Sequence, residues 1–187
     1  MNLGFGSAQM SNHARLANIG RHLLVVAGLA VTGIAHADSQ PTIGSASGLP
    51  LPRYVTLKSD KVNLRQGPSR NHQILFVYQR RGLPVEITAE DEIWYRIRDS
   101  SGTEGWVLHS LLSGDRGVLV APDDKGGVFN LHSEASAHST LVARLQSDVI
   151  ARVKSCDGTW CHIMGTGYSG YMRETRLWGV FPKEKFP

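Results

Sequence analysis

What most limits the folds open to this chain is an internal repeat. "VNLR" at Val62–Arg65 returns as "FNLH" at Phe129–His132, and "IWYRI" at Ile93–Ile97 returns as "TWCHI" at Thr159–Ile163. "GTEGWV" from Gly102 matches "GTGYSGYM" from Gly165, and "LLSG" ending at Gly114 matches "LWG" ending at Gly179. Allowing for a length change within the "GTEGWV" pair, the offset between partners drifts only from 67 to 65 residues. A period of that length is a whole small domain, so the chain reads as two tandem copies of one unit and not as a solenoid.

Each copy is patterned as strands. "LPVEITAE" alternates Val85 and Ile87 with Glu86 and Thr88, and "IWYRIR" alternates Ile93, Tyr95 and Ile97 with Trp94, Arg96 and Arg98. A period of two places one set toward a core and the other outward. Turn signals at "QGPSRN", "EDE", "DSSGT" and "DGT" cut the pattern into short pieces, which predicts an all-β protein of two tandem small β-barrels. The first is expected over residues 54–114 and the second, divergent one over 115–187. Tyr78, partnered by Leu145 in the second copy, is assigned to the core. A unit of about 60 residues has barely enough core to stand alone, so the copies are expected to pack together or lean on a covalent staple.

Residues 1–37 read as a targeting segment. Arg15, Arg21 and His22 precede an apolar run ending in Ala35-His36-Ala37, with no acid before it. This is the pattern of a cleaved signal peptide that leaves Asp38 as the new N-terminus. Met10 is an alternative start. The run Leu23–Ala35 is shorter than the roughly 20 apolar residues that span a bilayer, so no stable membrane insertion is expected. Residues 38–53, rich in Ser, Gly and Pro, read as a flexible linker, with order beginning near Arg53 or Tyr54. The expected location is periplasmic or secreted. Beyond Ala37 the net charge is about +2, with bases and acids interspersed. That balance excludes a phosphate-tracking face, so no nucleic-acid partner is expected.

The order of "VNLRQGPS", "RRGLPVEI", "IWYRIR", "GTEGWV" and a final "LL" resembles the bacterial SH3-like (SH3b) domain, and the mature chain resembles tandem SH3-like proteins of the bacterial cell envelope. The resemblance runs from Tyr54 to about Val180. It implies small β-barrels that serve as binding modules for peptidoglycan or for other envelope proteins such as wall hydrolases. The second copy departs from the pattern, with His132 in place of Arg65, no Gly-Pro turn after it, and Tyr171 in place of Trp106. A ligand site is therefore expected in the first copy.

Four residues are candidates for that site: Trp94, Arg96, Arg65 and Trp106. If Ile93, Tyr95 and Ile97 build the core, Trp94 and Arg96 project outward side by side. Such a pair offers a stacking face and a two-pronged carboxylate binder. The competing reading has Trp94 cover the neighbouring hairpin. For Arg65 the favoured role is to tether the loop after the Gly67-Pro68 turn through its carbonyls, with ligand contact as the alternative. Trp106 follows a glycine and reads as packed inward or between the barrels.

Catalytic signatures are missing. "GTGYSG" at Gly165–Gly170 satisfies G-x-G-x-x-G, but a dinucleotide site requires a strand before it, a helix after it and an acid about 20 residues on, and the chain ends first. Glu90, Asp91 and Glu92 read as a solvated cluster in a turn. Neither catalysis nor a cofactor is expected. Cys156 and Cys161 are the only cysteines and bracket the turn "DGTW", so a disulfide across a hairpin is favoured. A zinc site adding His162 and either His132 or His138 is the rival, made awkward because Cys161 and His162 point to opposite faces of a strand.

Overall fold

The computed structural model describes residues 42–187, and the expected signal peptide lies outside the described residues. The described chain is all-β, broken only by two single 3-10 turns at His109–Leu111 and Glu174–Arg176. A hairpin of β1 (Thr42–Ile43) and β2 (Pro50–Leu51) comes first. The first module contains β3 (Arg53–Leu57), β4 (Val62–Arg65), β5 (Ile74–Tyr78), β6 (Pro84–Asp91), β7 (Trp94–Arg98), β8 (Glu104–Leu108) and β9 (Leu112–Ser113). The second contains β10 (Gly117–Val120), β11 (Val128–His132), β12 (Leu141–Gln146), β13 (Ile150–Asp157), β14 (Trp160–Gly165), β15 (Tyr168–Arg173), β16 (Leu177–Trp178) and β17 (Lys185–Phe186).

Strand order in the first sheet is β5-β4-β8-β7-β6-β3-β9, and in the second β12-β11-β15-β14-β13-β10-β16, with β17 beside β13. Among the described residues both are antiparallel paths with free ends, so the expected barrels are not closed. The copies agree in detail. A bulge follows Leu64 in one and Leu131 in the other, and a second bulge sits between Ile87 and Ala89 and between Val153 and Ser155. Each central hairpin also needs a glycine. A Cβ on Gly105 would stand 2.6 Å from Leu64 Cγ, and one on Gly170 would stand 2.5 Å from the His132 carbonyl. No side chain fits where these strands cross.

The first core gathers Leu57, Val62, Leu64, Tyr78, Val85, Ile87, Ile97 and Val107, and the second Val118, Val120, Leu131, Leu145, Ile163 and Met172. Tyr78 is core, and its hydroxyl donates to Asp99 at 2.8 Å. Burial first, then that bond, drives the phenol pKa well above its ordinary value. Ile93 departs from expectation. The β6–β7 hairpin turns through Glu92, whose φ is +49°, so Ile93 lies in the turn and is 52% exposed. Only Tyr95 and Ile97 of the three face the core.

Order also begins earlier than Arg53. The loop of the β1–β2 hairpin wraps the Glu90 carboxylate, which accepts from the Ala46 amide at 3.0 Å, the Ser47 amide at 2.8 Å, the Ser47 hydroxyl at 2.6 Å and Arg53 at 2.6 Å. Its side chain is wholly buried, so Glu90 is no member of a solvated cluster. The pattern concealed this because an acid beside two others looks like surface.

Both modules belong to one compact unit. Tyr54 of β3 packs on Trp178 at 5.1 Å and on Phe181 at 4.7 Å between ring centres. Arg80 donates to the Asp148 carbonyl at 2.5 Å.

Candidate functional site

The site is built on β4. Val62 and Leu64 point into the core, so Lys61, Asn63 and Arg65 stand on the opposite face. On the same face of β7 is Trp94, opposite Leu108 of β8. Together with Arg70 and Leu111 these residues line a cavity of about 320 Å³. Trp94 is 7% exposed, yet it belongs to the first module's outer face and not to its core cluster. The sequence parity therefore holds for its direction and fails for its exposure, because the walls around it enclose the indole. Three of the lining side chains are cationic and none is a carboxylate. An aromatic and aliphatic floor under a basic rim suits a ligand with an apolar body and an anionic end.

The loop between β4 and β5 forms the rim. Arg65 donates through Nη1 to the carbonyls of Arg70 at 2.9 Å and His72 at 2.8 Å, so it holds the loop while lining the cavity. The tethering role is thus the one its hydrogen bonds fill, and the same guanidinium faces the cavity. Ser69 Oγ lies 2.8 Å from His72 Nδ1, an exposed contact within the turn.

Arg96 and Trp106 stand elsewhere. Trp106 pairs with Arg65 on one side and Arg96 on the other, which places all three in one outward row across β4, β8 and β7. Trp106 is thus outside the core cluster, on the outward face of its sheet. Arg96 is exposed and ion-paired with Glu104 at 2.5 Å, and neither it nor Trp106 lines the cavity. Of the four candidates, Trp94 and Arg65 meet there. Sequence reasoning missed Lys61, Asn63, Arg70, Leu108 and Leu111. The alternation Lys61, Asn63, Arg65 was readable in the strand, whereas the approach of Arg70 depends on how the loop folds back.

In the second module the equivalent row is His132, Tyr171 and His162. His162 stacks on Tyr171 at 4.7 Å, and its Nε2 lies 2.8 Å from Ser169 Oγ. Burial and then the nearby Lys154 charge lower its pKa. Trp160 takes the place of Trp94, but Arg173 lies over it at 4.8 Å and His132 meets it edge-on at 5.7 Å. The cations of the first cavity become Val128, His132 and, in the loop, Ala137. The two surfaces have diverged in charge. Cys156 and Cys161 face each other in the β13–β14 pairing with Cα atoms 4.1 Å apart and form a disulfide, which removes both thiols from the zinc alternative. Among the described residues no cluster of His, Cys, Asp or Glu is placed to hold a metal ion.

The bacterial SH3 domain model matches twice, at residues 58–114 and 125–179, together more than half of the chain. The chain belongs to the bacterial SH3 domain family. No curated protein matches it. Among solved structures it is similar to NlpC2 from Trichomonas vaginalis, at 18% identity over 68% of this chain and 48% of that one, with a TM-score of 0.31. It is likewise similar to NlpC1 from Trichomonas vaginalis, at 17% identity over 72% and 48%, again with a TM-score of 0.31. The chain spans about half the length of these structures.

Proposed function

We propose that the chain is a non-catalytic, exported binding protein of the cell envelope whose first module holds peptidoglycan through its stem peptides. The observation that carries this reading is the cavity over Trp94, ringed by Lys61, Arg65 and Arg70 with no acid in its lining. A peptide carboxylate pairs with the cations while its aliphatic body rests on Trp94, Leu108 and Leu111. The outward row through Trp106 to Arg96 extends the surface for a longer ligand. The Ser69–His72 contact lacks a third group to orient the imidazole among the described hydrogen bonds, which supports a turn role and not a nucleophile. Export is supported by the disulfide, which suits an oxidising compartment, and by the Ala35-His36-Ala37 signature; mass spectrometry of protein from its native envelope is expected to find Asp38 first.

Titration of the mature protein with muropeptides, followed by amide shifts, tests the reading. Shifts centred on Lys61–Arg70 and Trp94 support it. Retention on purified sacculi with no shift at these residues would place the site elsewhere, and no retention would remove the proposal.

A further inference from the structure

Away from that cavity, the first sheet ends on β5, whose outer backbone edge has no strand partner among the described residues. Ile74, Leu75 and Phe76 on this strand are 41%, 50% and 51% exposed. Proteins normally guard such an edge with a charge, a proline or a cover. The second sheet does so: Arg144 stands at the middle of its edge strand β12, paired with Asn130. The equivalent of Arg144 on β5 is Val77, paired with Asn63, and β5 carries neither charge nor proline.

The unguarded edge opens on a cavity of about 420 Å³, lined by Phe76, Tyr78, Leu83 and Arg80 among others. Phe76 and Tyr78 meet edge-on at 4.9 Å and form its aromatic wall. Asp99, the one acid in the lining, is already engaged by the Tyr78 hydroxyl and by Ser101 and Thr103. Cations flank the strand, Arg70 before it and Arg80 and Arg81 after it. Among the described residues Arg70 and Arg81 have no ion-pair partner.

We propose that β5 is a docking edge for an extended segment of another protein, apolar in its middle and acidic at both ends. The segment adds as a strand through the free N–H and C=O groups of β5 and seats an apolar side chain against Phe76. Charge selects this occupant over a second copy of the chain. Antiparallel pairing of β5 with itself about Phe76 would bring Arg80 and Arg81 of each copy beside Arg70 of the other, like charge on like.

The experiment uses the full chain and the synthetic peptide Asp-Asp-Val-Thr-Val-Ile-Val-Glu-Asp, beside a version with lysines replacing its acids, read by amide hydrogen exchange. The acidic peptide is expected to slow exchange across Ile74–Tyr78, with the lysine version at least tenfold weaker. Val77→Arg, which copies the guard of the second sheet, is expected to abolish the effect with an unchanged melting temperature; Leu75→Lys gives the same test should Val77→Arg unfold the module. No slowing by the acidic peptide, or equal slowing by both, would overturn the proposal. So would concentration-dependent dimerisation of the unmodified chain that Val77→Arg removes, since the occupant would then be a second copy.

Discussion

Arg173 lies over Trp160 in the place that Leu108 holds beside Trp94. The repeat has kept the indole in both modules and changed what faces it, so one tryptophan floors a basic cavity and the other carries a stacked cation. This relationship decides where ligand binding should be sensitive.

Leu108→Arg is expected to import the cover of the second module and to weaken muropeptide binding at least tenfold without unfolding the protein. Trp94→Ala should weaken binding by about 1 to 3 kcal/mol through lost stacking area. Ile97→Ala, in the core itself, should instead cost about 2 to 5 kcal/mol of stability. Melting temperature measured beside sacculus retention for the three variants checks the assignment. Equal melting losses for Trp94→Ala and Ile97→Ala would make the indole a structural residue first.

Acid should release the β1–β2 hairpin. Burial works to raise the Glu90 pKa, but the hydrogen bonds from Ser47, Arg53 and Ala46 outweigh it and hold the group at about 2, below the usual 4.5. A depressed carboxylate contributes stability that is full above its unfolded value and fades as pH falls through the folded one. Amide protection at Ala46 and Ser47 is therefore expected to disappear between about pH 5 and pH 2. Glu90→Gln should lose it already at neutral pH.

Alkali should act on the contact between modules. Burial, then the nearby Glu86 charge, pushes the Tyr54 phenol up to about 12. The neutral form is the one the folded state prefers, so this contribution is complete below about pH 10 and lost as pH rises through the folded value. Tyr54→Phe keeps the ring against Trp178 and Phe181 and is expected to remove that alkaline loss, as seen by near-ultraviolet circular dichroism.

Reduction of Cys156–Cys161 should be mild. The bridge closes a short hairpin, so it contributes about 2 kcal/mol at most in the chain-entropy model. Both residues sit in the second core and remain packed as thiols. A modest fall in melting temperature on adding reductant is expected, with the first module unaffected.

How far the sequence could be read follows from what each signal reports. The repeat, the strands and the disulfide hairpin are local patterns, and the bulges and pairings fall at matching places in both copies. Strand parity fixed the direction of Trp94 but not its burial, since the walls come from Leu108, Leu111 and the loop at Arg70, far apart along the chain. Parity also extended one residue too far at Ile93, because a residue at positive φ ended the strand. Glu90 was illegible for a related reason: its partners Ala46 and Ser47 lie in a stretch whose composition resembles a linker. Open sheet edges leave no mark in the alternation of a strand, so the barrels expected from turn spacing could not be told from sheets with free ends.

The seat of Tyr54 between Trp178 and Phe181 has a mechanical meaning. With the second module held against β3 at this point and Arg80 latched to Asp148, the pair cannot swivel as beads on a string. A ligand held by the first module would therefore also set the heading of the second, because the two turn as one body about these contacts.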